Sequence, residues 1–560
     1  MKAQSLIARS LGAMVRENAS RNPDGPALMV SVGKEFQTVT YKEFWSNVQS
    51  YAAFLKAAEL TKGDRMIILS ENCAEWIYAH YAGQSLGVIT VPIYPTLPAD
   101  QAQYIANDAQ AKLALCGSDE HAAKLAAVEG LRVELLREER HGVLNEEDWN
   151  QTINSIDASD LALFIYTSGT TGQPKGAMLT HDAFLTVCQH ATPYLDITKD
   201  DVFFSFLPLS HVFEQIASCL CFYAGSCLGM NKSVASMAGD FLAIRPTVMV
   251  AVPRFLESFM DRVVDGVKKQ KPIKQKLFNL YVSQGVKKAQ GGFGPLHGLL
   301  DGLVGKKIRE RLGGRLKMVV SGGAALPKHV AEFYMALGLN ILQGYGLTET
   351  TGGSCVNHPN RNKYWTVGEP IGVELKIAED GEILFRGPTV MKGYYNLPEE
   401  TAKALDSDGW FHTGDIGEME GLALKITDRK KDILVLGNGK NVAPQPIENL
   451  IRESKFISEA VVLGDGMDYC VALILPNKEA LRAELGLAEN AVMSDIPEVR
   501  ELLKKEIDKT NKKVANFEMV KKWAMIDDPF TIENGMLTPT LKVKRKVVKE
   551  KYASVIEGLR

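Results

Sequence analysis

Between residues 40 and 115 the hydrophobic period of the chain switches repeatedly between helix-like and strand-like, and this alternation limits the folds open to it. Thr40 to Glu43, reading TYKE, places a hydroxyl and a carboxylate three residues apart, the spacing of a capping box. It opens a helix whose apolar face runs through Phe44, Val48, Tyr51 and Leu55. Met66 to Leu69 reads as a strand, Cys73 to Ser85 as a helix and Val88 to Ile93 as a strand. Gln101 to Asp108 then reads as a helix and Lys112 to Leu115 as a strand. Apolar strands separated by helices call for a parallel sheet covered on both faces. The pattern returns at Thr247 to Val252, before a helix from Arg254. It returns again at Leu316 to Val320, before a helix opened by Pro327, whose fixed φ suits a first helical turn. The fold class is α/β.

The texture changes twice towards the C-terminus. From about Trp365, short strands such as Glu382 to Arg386 and Gly-rich turns suggest a small β-barrel. Beyond Arg429, strands at Glu459 to Leu463 and Cys470 to Leu475 precede a charged helix near Glu498 to Lys513, predicting a compact α+β domain. A chain of 560 residues exceeds one core, and 46% hydrophobic with 23% charged residues describes ordinary globular protein. A net charge of −3 supplies no field for nucleic acid. The eight cysteines form no CxxC and read as buried free thiols of a reducing cytoplasm. The charged N-terminus lacks the apolar core of a secretory signal. Gln215 to Asn231, uncharged but short and partly polar, reads as a buried helix rather than a membrane span. Residues 262–317 hold fourteen Lys/Arg against three Asp/Glu. Three readings fit them: a solvated helical face, a surface for anionic lipid, or a dock for an acidic ligand such as coenzyme A.

Chemistry concentrates in the string Tyr166 to Gly176, YTSGTTGQPKG, which follows the apolar run Leu161 to Ile165. Its glycines let successive N–H groups point into one concavity. Ser168, Thr170 and Thr171 add hydroxyls, and Lys175 adds a charge, which together suit a polyphosphate. The spacing is not that of a Walker loop, since Gly176 follows the lysine. Downstream, Gln343 to Glu349 reads QGYGLTE, where a hydroxyl and a carboxylate suit a hard cation beside phosphate oxygens. Ser321 to Ala325 puts small residues after a predicted strand, which admits a flat ring. Gly83 to Gly87 fits the GxSxG pattern of hydrolases, but the predicted order is helix then strand, the reverse of a nucleophile elbow. The GYG of 344–346 lacks the third glycine of a dinucleotide fingerprint.

These strings, in this order, resemble the signatures of the adenylate-forming superfamily, and most closely those of long-chain fatty acyl-CoA synthetases. The likeness extends through Leu207 to His211, Gly409 to Asp415, Asp428 to Asp432, Gly437 to Pro444 and Leu537 to Lys542. It implies a large N-terminal domain over 1–428, made of two α/β subdomains and a β-barrel at about 365–428. A hinge at 429–433 and a mobile α+β domain at 434–560 would follow. ATP or AMP would be held by Thr167, Ser168, Gly169, Thr170, Thr171, Gly172, Lys175, Gly322, Gly323, Ala324, Gln343, Gly344, Tyr345, Gly346, Asp415 and Arg429. Thr348, Glu349 and Lys542 would be catalytic, with Glu349 and Thr170 holding Mg²⁺. His211 would border the acyl site, Lys431 would be the pivot, and Gly437, Gly439 and Lys440 would line the coenzyme A channel. Many relatives carry Gly before the catalytic lysine where this chain has Leu541, and Lys544 and Lys546 lie close by.

The resemblance thus implies ATP-dependent formation of an acyl-adenylate from a long-chain fatty acid, with release of pyrophosphate, and then transfer to coenzyme A with release of AMP. Medium-chain or aryl acids, delivery to a carrier protein, and a non-catalytic role in fatty-acid uptake are the alternatives. Nucleic acid is not expected as a partner, the oligomeric state is open, and a cytoplasmic enzyme with peripheral membrane contact through 262–317 is the expectation.

Overall fold

A computed structural model describes residues 8–33, 35–138, 140, 142–167, 173–233, 235–430, 432–437, 439–531, 534–537 and 543–560. The chain divides into two compact units. The larger comprises residues up to Lys376 with Leu384–His412 and Met419–Leu424; the smaller comprises Ile377–Ile383, Thr413–Glu418 and Lys425–Arg560.

Two sheets organise the larger unit. One has six strands in the order Arg132–Leu135, Leu113–Cys116, Arg65–Leu69, Ile89–Ile93, Leu161–Thr167 and Lys175–Thr180. Its pairs are parallel except the last, which is an antiparallel hairpin. The capping box forms as the sequence requires: Thr40 Oγ1 accepts from the Glu43 amide, Glu43 accepts from the Thr40 amide, and helix Tyr41–Ala57 follows. Its face of Phe44, Val48, Tyr51 and Leu55 is at most 5% exposed. Gly83, Ser85 and Leu86 lie in helix Ala74–Leu86, with strand Ile89–Ile93 after it rather than before it. Ser85 is buried and donates to the Tyr81 carbonyl at 2.7 Å, so the GxSxG match is no nucleophile elbow.

The second sheet has nine strands, and its middle is parallel: Asn340–Tyr345, Met318–Ser321, Val248–Ala251, Val202–Ser205, Cys227–Met230 and Pro26–Val32. Pro26–Val32 and Glu35–Thr40, which the sequence reading did not find, close one edge, about two hundred positions from the strand they join. Pro327 stands at the N-cap of helix Lys328–Ala336, one residue earlier than expected. The apolar stretch from Gln215 splits into helix Val212–Tyr223 and strand Cys227–Met230. Among the described residues no helix is long and apolar enough to cross a membrane.

The segment expected as a small barrel carries a four-stranded sheet, ordered Glu374–Ile377, Glu382–Arg386, Phe411–Glu420 and Ala423–Arg429. Four strands are few for full closure, and Glu369–Pro370 pairs instead with Cys355–Val356 at the edge of the nine-stranded sheet. The division between the two units runs through these four strands. In the smaller unit, Ile457–Leu463, Cys470–Pro476 and Val520–Met525 form a sheet. Helix Pro497–Asn511 buries Val499, Leu503 and Ile507 in the core that this sheet shares. All eight cysteines are free, and seven are buried.

Candidate active site

In the six-stranded sheet, Leu161–Thr167 and Lys175–Thr180 pair so that Thr167 stands opposite Lys175 and Tyr166 opposite Gly176. A Cβ on Gly176 would sit 2.9 Å from the Tyr166 ring, so this position accepts only glycine without a shift. Ser168, Gly169, Thr170, Thr171 and Gly172 lie outside the described residues. The lysine that ends the loop is held from two sides. Its Nζ pairs with the Glu400 carboxylate and lies 5.2 Å from the centre of the Tyr394 ring. Lys175, and then Lys403, hold the Glu400 carboxyl down at about 2.

Tyr394 carries the connection onward. Its hydroxyl donates to Glu349 Oε1 at 2.8 Å, and the Met391 amide donates to the Glu349 carbonyl at 2.8 Å. Burial, and then the charge of Glu349, keep the Tyr394 phenol well above its usual range and therefore protonated. Main-chain bonds Met178 N to Gly393 O, Lys392 N to Met178 O and Tyr395 N to Gly176 O fasten the segment 391–395 along the strand that begins at Lys175. The string at 166–176 and the string at 343–349 are thereby joined through one phenol. Neither Tyr394 nor Glu400 was singled out by the sequence reading, because YYNLPEE reads as an ordinary turn followed by a helix start.

Glu349 sits in the short 3-10 turn Thr348–Thr350, just past strand Asn340–Tyr345. Thr351 closes this turn at φ 59°. A Cβ on Gly346 would collide with the Gly352 backbone, so two stretches of main chain pass here with no room for a side chain. The Thr348 carbonyl accepts from the Thr351 amide at 3.1 Å, a bond that shapes the turn. Among the described residues no group of three or more His, Cys, Asp or Glu could hold a metal ion. A single carboxylate such as Glu349 still fits Mg²⁺, which keeps its waters and takes its other ligands from phosphate oxygens.

Gly322, Gly323 and Ala324 follow strand Met318–Ser321 at its carboxyl end, where ligands of open α/β sheets bind. A Cβ on Gly322 would press on the Phe213 ring at 2.9 Å, while Gly323 and Ala324 are exposed. The ring of Tyr345 lies 5.9 Å from that of Phe385. Gln343 has a structural occupation: its Oε1 accepts from the Leu326 amide at 3.0 Å and its Nε2 donates to the Tyr364 carbonyl at 2.5 Å. It ties the loop of small residues to its neighbour strand. Gly344 precedes the tyrosine within the same strand.

His211 is the N-cap of helix Val212–Tyr223, with Nδ1 accepting from the Phe213 amide at 3.0 Å. Its ring meets that of Tyr94 edge-on at 6.4 Å. Three residues on, Glu214 is 1% exposed, and its Oε2 has no hydrogen-bond partner among the described residues. Burial pushes its carboxyl up to about 8, although the Ser205 hydroxyl and the Leu207 amide oppose this. The sequence reading passed over it.

The smaller unit holds the remaining predicted residues. Arg429 Nε lies 3.1 Å from the buried carboxylate of Asp415. Asp428 accepts from the Arg429 amide at 2.6 Å, and burial pushes its carboxyl up to about 6. Lys431 and Lys542 lie outside the described residues. Gly437 and Gly439 belong to the turn between strands Leu434–Val435 and Asn441–Val442. The Gly437 amide donates to Met467 O at 2.7 Å, and Gly439 adopts φ 77°. Lys440 Nζ lies 5.8 Å from the centre of the Phe517 ring. Arg545, which the sequence reading missed in a basic run, grips both oxygens of Glu448 at 2.6 and 2.5 Å and also donates to the Val462 carbonyl.

Comparison with known proteins agrees with this arrangement of parts. Residues 15–395 match the family model described as AMP-binding enzyme, and residues 431–560 match that described as AMP-binding enzyme C-terminal domain. The chain is 33% identical to the long-chain-fatty-acid–CoA ligase FadD15 of Mycobacterium bovis, over 98% of this chain and 97% of that protein. It is 30% identical to the long-chain-fatty-acid–CoA ligase 5 of Rattus norvegicus, over 99% of this chain and 88% of the other. In three dimensions it resembles ATP-bound MatB from Rhodopseudomonas palustris, with a TM-score of 0.73 at 24% identity, covering 98% and 99% of the two chains. With string order, fold and full-length similarity in agreement, the chain belongs to the AMP-binding enzyme family.

Proposed function

We propose that this protein is an AMP-forming ligase that joins a long-chain fatty acid to coenzyme A. The observation that carries the reading is full-length identity of 30 to 33% to proteins named long-chain-fatty-acid–CoA ligases. A carboxylate oxygen of the fatty acid attacks the α-phosphorus of ATP, the bond to the β-phosphate bridging oxygen breaks, and pyrophosphate leaves. The coenzyme A sulfur then attacks the acyl carbon, and AMP leaves.

In this reading, Lys175 and the loop Thr167 to Gly172 hold the β- and γ-phosphates, and a cation there is worth a few kcal/mol in the barrier. Thr348 touches the α-phosphate, and Glu349, oriented by the Tyr394 hydroxyl, would hold Mg²⁺, which would supply charge compensation for the phosphates. Gly322 to Ala324 and Gly344 to Gly346 admit adenine beside Tyr345, and Asp415 and Arg429 meet the ribose. Lys542 meets the charge that develops in the first step. The turn Gly437 to Lys440 serves coenzyme A in the second, with Lys431 as the pivot of a hinge at 429–433 between domains 1–428 and 434–560. His211 borders the acyl site. A cytoplasmic enzyme with peripheral membrane contact through 262–317 belongs to the same reading.

The test is AMP release across carboxylic acids of graded chain length, with and without coenzyme A. Long-chain acids should give the highest kcat/KM, and AMP should be released in turnover quantities only with coenzyme A. Turnover confined to aryl acids, or no thioester with free coenzyme A, would overturn the assignment. For Lys542→Ala, adenylate formation should be lost while a supplied acyl-adenylate is still converted to thioester. Equal loss of both half-reactions would sink the role given to that lysine.

A further inference from the structure

Sixteen large hydrophobic side chains are exposed among the described residues, and six of them fall between Ile273 and Leu303. An even spread would place about one there. They are Ile273, Leu280, Phe293, Leu296, Leu299 and Leu303, within the stretch 262–317 that carries fourteen Lys/Arg against three Asp/Glu.

The structure shows why they point outward. Helix Pro272–Ala289 buries Phe278, Tyr281 and Gly285, and a Cβ on Gly285 would sit 2.6 Å from Ala336 Cα, so this face is locked against helix Lys328–Ala336. Helical spacing leaves Ile273, Lys276, Leu280 and Lys287 together on the other side. The turn that follows is rich in glycine and lifts Phe293 to 83% exposure. The chain then winds through His297–Leu300, Asp301–Gly305 and Lys306–Glu310, burying His297 and Leu300. The His297 ring stacks on Tyr281 at 4.7 Å and holds this winding in register. Leu299 and Leu303 are turned out at 73% and 57% exposure, directly ahead of Lys306 and Lys307. Asp301, the acid in the middle, is neutralised locally: Arg309 pairs with both its oxygens at 2.7 Å and Tyr281 donates to it. Beside the winding lies a cleft of about 590 Å³ lined by Leu242, Arg245, Lys306 and Arg309.

We infer that this surface seats on an anionic lipid bilayer, with Phe293, Leu299 and Leu303 entering the acyl region and the surrounding lysines meeting headgroup phosphates. The inference rests on the membrane contact proposed above and names the groups that make it. Charge and apolarity together select the occupant. A second copy of the chain would bring one basic face against another. Coenzyme A would answer the lysines but could not cover apolar side chains spread over two helices. A bilayer surface supplies both halves. Seated there, the enzyme would take a poorly soluble acid from the phase in which it is dissolved.

The experiment is co-sedimentation of the full chain with vesicles of phosphatidylcholine alone or with about 30% phosphatidylglycerol, at low and high salt. The wild type should bind the anionic vesicles at least tenfold more tightly, and salt should weaken this binding. Phe293→Ser/Leu299→Ser/Leu303→Ser should reduce it tenfold or more, and Lys276→Gln/Lys287→Gln/Lys307→Gln should flatten its salt dependence. Both variants should keep the wild-type KM for coenzyme A with a medium-chain acid in solution, which also reports that they fold. Equal wild-type binding to both vesicle types, or unchanged binding by the triple serine variant, would overturn the inference. A raised KM for coenzyme A with vesicle binding unmoved would assign the surface to coenzyme A instead. If the wild type forms no thioester, the proposed function fails, while the vesicle measurement still decides the surface.

Discussion

Replacing Glu214 with Gln should change how the larger unit responds to pH, and the size of the change follows from burial. The carboxyl is 1% exposed and shifted from an ordinary 4.5 to about 8. Its folded value lies above its unfolded value, so between the two the folded protein binds a proton that the unfolded chain has released. The contribution of this carboxyl to stability therefore falls as pH rises from about 4.5 to about 8, by about 1.4 kcal/mol per unit, and levels off above. The whole effect is on the order of 5 kcal/mol, a large part of the stability of any domain. Gln keeps the shape of the protonated acid and cannot ionise. The variant should match or fall slightly below the wild type near pH 5, and exceed it by a few kcal/mol at pH 8.5. Guanidinium unfolding followed by tryptophan fluorescence is a suitable assay, because every tryptophan but Trp523 belongs to the larger unit. His80 and His181, also buried there and lowered from 6.5 to about 3 and about 4, make stability rise with pH up to about 6.5, but equally in both proteins, so the difference between the two curves isolates Glu214. Parallel pH curves for the two proteins, or a variant less stable at pH 8.5, would refute the reasoning.

Four further outcomes follow from the site. Tyr394→Phe removes the hydroxyl on Glu349; losing a hydrogen bond to a charged group, at roughly 1.5 to 3 kcal/mol, should lower pyrophosphate exchange by about ten- to a hundredfold. Glu400→Gln releases Lys175 from its ion pair, and since solvent screens a pair as exposed as this one, KM for ATP should drop by no more than about fivefold. Gly346→Ala, which forces a Cβ into the Gly352 backbone, should abolish adenylate formation while circular dichroism stays close to wild type. Arg545→Ala leaves Glu448 without its cation and should lower the unfolding free energy of the smaller unit by about 3 kcal/mol, read by the fluorescence of Trp523.

Much of this arrangement was legible because its causes are local. A capping box declares itself in four letters, and Phe44, Val48, Tyr51 and Leu55 can share a core only on a helix. The parallel strands read clearly because both faces are buried, so each is a short unbroken apolar run. What escaped detection depends on partners far away. Pro26–Val32 pairs with its neighbour Glu35–Thr40, but its place in the nine-stranded sheet depends on Cys227–Met230, about two hundred positions away, and nothing within its own residues says so. Tyr394 and Glu400 gain their meaning from Lys175, more than two hundred positions earlier. Gln343 sits inside a recognisable string, yet its side chain bridges two backbone segments, a use that no string reveals.

The hairpin that carries Lys175 has one more implication. Lys175, Ala177 and Leu179 point to one face of their strand, and Ala177 and Leu179 are fully buried there. A slip of one residue against Leu161–Thr167 would take both out of that core and turn the lysine to the opposite face. The aim of the lysine is therefore set by aliphatic burial two and four residues away, and its pair with Glu400 only finishes the placement. With Lys175 assigned to phosphate in the proposed function, nucleotide affinity and core packing would rest on the same alternation. A cavity cut at Leu179 should register first as a weaker grip on phosphate, before any loss of fold is seen.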